Sequence, residues 1–300
     1  MSAASSTIGE LYSLTCALIW AVAVILFRKS GETIPPVALN LFKNTVALAL
    51  FLITLPVLGV TVFPHDVRAI EWAALVVSGV LGIGVADSLF FAALNRIGAG
   101  NIAIVDSLYS PFVILIAWAG LREHIGPLVL VAMALMTSAI LIGTWEPSAP
   151  RTSADRRRTV VGVLMGVLSV LLMAGGLVIM KPILGHADAW WVTTVRLIAG
   201  TGFIALQGLL PAHRRAVQDC FRPGRHWRVA IPAAVIGTYL AMITWILGLK
   251  YTFASKASVL NQTSSIFVIV LAALFLRERL TVRRGFAVAL AIGGAVLATR

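Results

Sequence analysis

Four ionisable residues stand well inside apolar runs of this chain: Lys43, Asp87, Asp106 and Arg196. A charged group at the centre of a membrane helix costs about 2.5–3.5 kcal/mol on insertion scales, so such residues turn inward, pair, and mark transport pathways. Their depths agree. A tight turn falls near Arg96–Gly98, with Asp87 about 8 residues before it and Asp106 a similar distance after it. At 1.5 Å per residue this is roughly 12 Å along each helix. Lys43 lies about 7 residues past Pro36, and Trp20 about 8 residues before Arg28, on the same side. Trp20, Lys43, Asp87 and Asp106 are therefore expected in one layer. The arrangement predicts that Lys43 pairs with one carboxylate and leaves the other to take up a proton, as proton-coupled antiport requires. A purely structural pair that positions the second, third and fourth helices fits the same residues, and Arg196 fits a structural role too.

Around Asp106 the stretch IAIVDSLYSPFVILI places Ala103, Asp106, Ser107 and Ser110 at i, i+3, i+4 and i+7, one face of a helix. Later in the chain Ser258, Asn261, Gln262 and Ser265 repeat that spacing. Both stripes avoid lipid, either by tight helix packing with interhelical hydrogen bonds or by lining one cavity. Trp20, Phe90, Tyr109, Tyr239 and Trp245 are candidates for its apolar walls, Tyr109 first because it adjoins the stripe.

The elements that must hold these residues are membrane helices. Of 300 residues 59% are hydrophobic and 12% charged, about half the charged share of a soluble domain, roughly 25%. Ten runs reach the length needed to span a bilayer, at about 8–28, 36–59, 70–94, 98–120, 125–145, 159–181, 188–210, 227–249, 253–276 and 282–299. Pro and Gly punctuate the gaps. The expected fold is an all-α membrane protein. The opening MSAASSTIGE lacks a positive n-region, so the first run reads as a retained helix.

The chain also aligns with itself. LNRIGAGNIAIVDSLYSPFVILIAWAGLRE (94–123) matches LKYTFASKASVLNQTSSIFVIVLAALFLRE (249–278) without a gap, including the shared Leu-Arg-Glu ending. That shift is 155 residues, and a shift of 153 sets Arg28 on Lys181 and Lys43 on Arg196. The predicted organisation is a first five-helix repeat at 1–145, a basic linker at 146–158, and a second five-helix repeat at 159–300. Five is odd, so the second copy enters the membrane from the opposite side. Ten helices as a 5+5 inverted repeat are a common plan of secondary transporters, with the site near the midplane between repeats.

With that plan, the two phrases around Asp106 and Asn261 resemble the drug/metabolite transporter superfamily in its EamA-type branch. Pro111 within the fourth helix and Glu123 before the fifth fit the family pattern. Arg122 and Arg277 depart from its usual Gly, and Ile266 stands where the first half has Pro111. The resemblance covers essentially the whole chain. It implies export or exchange of small metabolites, often amino acids, and termini in the cytoplasm.

Several other readings fall away. The net charge of +12 does not point to nucleic acid, because Lys and Arg gather in the short gaps between apolar runs, as membrane topology demands. Counted by side, 16 basic residues flank one face of the membrane and 6 the other, which by the positive-inside rule puts both termini outside the cytoplasm. This conflicts with the resemblance. Cys16 and Cys220 form no disulfide framework. The five histidines sit in loops or at helix ends and build no metal set, and no cofactor is expected. Asn261-Gln262-Thr263 matches a glycosylation pattern but lies in a membrane run. No nucleotide-binding loop and no nucleophile–base set at membrane depth is present, against ATP drive and an intramembrane enzyme. The expected function is a secondary transporter, in the exporting sense, of small organic metabolites such as amino acids, working by alternating access with a proton as coupling ion. Uncoupled exchange and a non-transporting scaffold or sensor are the alternatives. A small-molecule substrate, the lipid bilayer and a proton are the expected partners of a monomer or homodimer in the plasma (bacterial inner) membrane.

Overall fold

The structure, a computed structural model, describes residues 3–61, 64, 67–121, 127–144, 153–251, 254–276 and 281–298. All regular structure among them is helical. The helices are α1 (Ala3–Ser30), α2 (Pro36–Val57), α3 (Ala69–Gly79), α4 (Ala86–Asp106), α5 (Tyr109–Leu121), α6 (Pro127–Thr144), α7 (Ser153–Leu184), α8 (Ala189–Gly208), α9 (Pro211–Phe221), α10 (Trp227–Ala234), α11 (Ala241–Tyr251), α12 (Ala254–Phe275) and α13 (Val282–Ala298). Among the described residues 6 helical stretches are long and apolar enough to cross a membrane: Thr7–Ser30, Pro36–Val57, Ala69–Asp106, Asp155–Leu184, Ala189–Gly208 and Trp227–Tyr251. Large apolar side chains such as Leu11, Ile53, Leu164, Leu206 and Leu274 point outward. In water that surface would be a liability, and hydrocarbon removes the cost.

Four breaks in the helices carry most of the shape. Within α4, Gly98 adopts φ 79°, a left-handed conformation that glycine takes at no steric cost. It ends one helix and starts the next, at the turn expected near Arg96–Gly98. The second break falls at Ser107–Leu108, between α4 and α5. Pro111 explains it, because a proline has no N–H for the carbonyl four residues back and its ring crowds that carbonyl. In α12, where Ile266 replaces proline, the helix runs on unbroken. The third break is a wide π turn at Val80–Val85, joining α3 to α4. A second π turn, Val235–Leu240, joins α10 to α11. The two lie 155 residues apart, the offset at which the sequence aligns with itself.

Other contacts recur at the same offsets. Ser169 Oγ donates to the Ala86 carbonyl at 2.7 Å, and Cys16 Sγ donates to the Ala241 carbonyl at 3.3 Å. Each bond ties the opening helix of one half to the helix after the π turn of the other. Gly82, in the first π turn, packs against Gly176 of α7, and Gly237, in the second, packs against Ala23 of α1. Helices α6 and α13 pack on one another. The basic linker expected at 146–158 is partly helical, since α7 already begins at Ser153. The polar stretch 211–226, between the apolar runs 188–210 and 227–249, forms α9 (Pro211–Phe221). That helix lies on α2 and α8 and buries its own Cys220 against them, and burial pushes that thiol up to about 11. Cys16 and Cys220 are both free thiols. Arg122, Glu123, Arg277 and Glu278 lie outside the described residues.

At one junction three helices approach closely. A Cβ added to Gly200 of α8 would lie 2.8 Å from the Gly79 carbonyl oxygen and 2.7 Å from Ile83 Cβ, whereas one added to Gly202 would meet nothing within 4 Å. Overpacking of this kind costs about 1–3 kcal/mol. Gly200→Ala is expected to lower the thermal unfolding midpoint in detergent, and Gly202→Ala to leave it level or raise it. Equal midpoints for the two variants would sink the close-contact account.

Candidate functional site

Lys43 sits mid-helix in α2, between Asn40 and Asn44, and all three are buried. Spacings of three and four residues set Asn40, Lys43 and Asn44 on one face of the helix. Asn40 Nδ2 reaches into the first π turn, donating to the carbonyls of Ile83 and Gly84 at 3.2 Å each and to Ser88 Oγ at 2.9 Å. Asn44 Nδ2 donates to Asn40 Oδ1 at 2.8 Å. Lys43 Nζ donates to Asn44 Oδ1 at 3.1 Å and to Asp87 Oδ2 at 2.6 Å. The ammonium also lies over the Phe91 ring, 5.5 Å from its centroid. The side chains of the ion pair are 6% and 17% exposed, so low dielectric strengthens their attraction. Of the two carboxylates, Asp87 is the one held by Lys43. Asp106 has no hydrogen bond or ion pair among the described residues.

Next to this network lies a central cavity of about 200 Å³. On this measure a single water needs only about 10–15 Å³, so the cavity has room for a small metabolite. Its wall takes Trp20 from α1, Lys43 from α2, Asp87, Phe90 and Asp106 from α4, and Tyr109 from α5. From the second half come Met173, Leu177 and Met180 of α7, Thr193 and Arg196 of α8, Met242 and Trp245 of α11, and Asn261 of α12. The wall is paired by the internal offsets: Trp20 with Met173, Lys43 with Arg196, Gly82 with Gly237, Phe90 with Trp245, and Asp106 with Asn261. A second space of about 10 Å³ lies behind Asp106, against Ala103, Ser264 and Ser265.

Most of the expected residues thus meet at one place. Trp20, Lys43, Asp87, Asp106, Tyr109, Arg196 and Asn261 share the cavity, with Phe90 and Trp245 in its apolar wall. Three others do not line it. Ser107 is buried and its Oγ turns back to the Ile104 carbonyl at 2.6 Å. Ser110 is buried as well. The expected stripe does not line the cavity as a whole: the Pro111 break separates Asp106, at the end of α4, from Tyr109 and Ser110, on α5, and of these Asp106 and Tyr109 reach the wall. Ser265 Oγ donates instead to the Ala103 carbonyl at 3.1 Å, pinning α12 to α4, which is the packing alternative for that residue. Tyr239 packs edge-on against Phe51 and hydrogen-bonds Thr54. The side chains of Ser258 and Gln262 lie outside the described residues. Of the histidines, His65 and His124 also lie outside them. His226 lies in the turn before α10, half-buried, with its Nε2 bonding the Cys220 carbonyl at 2.9 Å.

Other wall residues went unremarked in the sequence. Met173, Leu177 and Met180 follow i, i+4, i+7 along α7, a spacing that reads equally as ordinary core. Asn40 and Asn44 flank Lys43 at helical spacing and were the legible signal of its network. Among the described residues no group of three His, Cys, Asp or Glu could hold a metal ion.

Comparison with known proteins gives a consistent picture. The model of the EamA-like transporter family matches twice, over residues 7–145 and 160–300. A protein of Archaeoglobus fulgidus named only as an uncharacterized transporter is 23% identical over 276 residues, covering 91% of each chain. Protein PecM of Dickeya dadantii is 26% identical over 237 residues, 78% of this chain and 76% of its own. A solved crystal structure superposes with a TM-score of 0.66 at 18% identity, over 99% of this chain and 97% of its own, and shares the fold.

Removing one partner from a buried ion pair strands the other charge, at about 3–5 kcal/mol, whereas an apolar replacement of both is often tolerated. Asp87→Asn is expected to lower the unfolding midpoint sharply. The double variant Lys43→Met with Asp87→Leu should recover most of that loss. A double variant as unstable as the single one would show that the pair is not the contact that matters.

Proposed function

The chain belongs to the EamA-like transporter family, and on that premise we propose that it is a secondary transporter of small organic metabolites such as amino acids, an exporter working by alternating access in the plasma (bacterial inner) membrane. The observation that carries this reading is the metabolite-sized cavity, walled by residues of both halves in matching positions, with Lys43, Asp87, Asp106 and Arg196 at its surface. A cavity built this way changes its exposure when the halves rock against each other, which is how many inverted-repeat transporters work.

In the full reading each half contributes five membrane helices. In the first these are α1, α2, the α3–π–α4 rod as far as Gly98, the kinked rod from residue 99 through α5, and α6. In the second they are α7, α8, the α10–π–α11 rod, α12 and α13, with α9 at the membrane surface. Two family matches, two π turns 155 residues apart and the paired cross-contacts Ser169–Ala86 and Cys16–Ala241 support it. The odd helix number makes the halves inverted.

Asp106 is the proton carrier in this scheme. Asp87 is committed to Lys43, and Asp106 stands in the cavity wall with no described partner. Its counterpart Asn261 can hydrogen-bond but cannot titrate, so among the described residues only the first half brings a free acid to the site.

Counterflow of amino acids and cationic drugs in proteoliposomes, with and without a pH gradient, tests the scheme. Wild-type protein is expected to exchange at least one solute faster with the gradient. Asp106→Asn should still exchange it and lose the gradient dependence. Undiminished gradient dependence in that variant rules out Asp106 as the carrier. Gradient-independent exchange by wild type means uncoupled exchange, and no exchange of any solute favours a scaffold or sensor.

A further inference from the structure

The charges of the cavity do not repeat as its shape does. Lys43 and Arg196 stand 153 residues apart and both reach the wall. Lys43 has its counter-ion 2.6 Å away in Asp87. The residue 155 positions after Asp87 is Met242, also in the wall. Among the described residues no acid is ion-paired to Arg196. One guanidinium nitrogen, Nη1, donates to the Met180 thioether, a weak acceptor. Another, Nε, is buried without a protein partner among the described residues. Tyr109 and, after it, Asp87 act on Arg196 electrostatically, but the Asp87 carboxylate is engaged by Lys43.

The guanidinium is also held in place. The Gly79 Cα comes up against the Arg196 main chain, and a Cβ on Gly82 would lie 3.2 Å from Nη2. These glycines let α8 and the Arg196 fork close on the first π turn. A planar fork fixed in this way suits bidentate binding of a carboxylate or phosphate, and a buried charge without a partner is costly. With Asp106 protonated, the wall holds two cations, Lys43 and Arg196, against the single carboxylate of Asp87, and the one charge left over favours a carboxylate over a phosphate dianion.

We infer that the cavity takes a small solute bearing a carboxylate, which docks on the Arg196 fork and supplies the counter-ion that Met242 does not. The inference rests on the transport reading of this cavity, and a binding measurement separates the two. The purified full-length protein is heated in detergent with benzoate, with its neutral isostere benzamide, and with inorganic phosphate. Benzoate is expected to raise the unfolding midpoint in a saturable way, and benzamide at equal concentration to have little effect. In Arg196→Gln the apparent benzoate affinity should fall about tenfold or more, the scale of a lost charged hydrogen bond, and Arg196→Lys should retain part of it. Met242→Asp gives Arg196 an internal acid and should abolish the benzoate response with Arg196 intact, so the inference stays testable if Arg196→Gln fails to fold. Equal responses to benzoate and benzamide, a response to phosphate alone, no response to benzoate, or a benzoate response unchanged in Met242→Asp would each overturn it. Benzoate binding without counterflow of any solute would sink the transport reading and leave this one. Counterflow of neutral or cationic solutes with no benzoate response would do the reverse.

Discussion

Lys43 and Asp87 are two opposite charges 2.6 Å apart inside an apolar bundle, where neither could stay ionised alone without a cost of several kcal/mol. Their contact fixes α2 against α4. The same face of α2 carries Asn40, which takes up carbonyls of the first π turn. The turn is thereby tied to α2 on one side, and its glycines receive α7 and α8 on the other. Arg196 rides on α8 into the space that remains. The cavity is thus a consequence of one ion pair and its amide neighbours, which set how far four helices can approach.

The two halves share a scaffold and differ in chemistry. Ser169 on the Ala86 carbonyl and Cys16 on the Ala241 carbonyl are the same contact made twice, and Gly82 and Gly237 hold the same place in the two π turns. Small residues there let one half's opening helix cross the other half's bent helix. At the wall the likeness is of position only: Asp87 answers to Met242, Asp106 to Asn261 and Trp20 to Met173. The acids stand in the first half and the unpaired guanidinium in the second. A symmetric frame of this kind can hold an asymmetric solute, because the frame sets where side chains sit and the individual residues set what they bind.

Much of the site was legible because membrane burial penalises charge so heavily. Lys43, Asp87, Asp106 and Arg196 could be singled out by their apolar surroundings, and counting residues from the turns put three of them at one depth. The part that was not legible follows from local geometry. Ser107 and Ser110 share a face with Asp106 only if the helix is straight, and Pro111 breaks it between them. Met173, Leu177 and Met180 look like any apolar helix face until α7 is seen beside the cavity. The basic segment after α8 has few apolar positions, yet Val217 and Cys220 suffice to lay α9 onto the bundle.

By itself the amino-acid sequence determined that the chain lives in a membrane, that it is two copies of one unit, and which ionisable residues had to be sheltered. These follow from composition, from a register of 155 residues, and from the cost of burying charge, all properties that are local or additive along the chain. Only the tertiary structure decided that Lys43 takes Asp87 and not Asp106, that Asp106 faces the cavity while Ser107 turns away, and that Arg196 is left without an acid. Those outcomes turn on ångström differences between side chains on separate helices, set by the π turns, the Pro111 break and the glycine contacts, and a linear spacing carries no information about which of two equally deep carboxylates a lysine on another helix will reach.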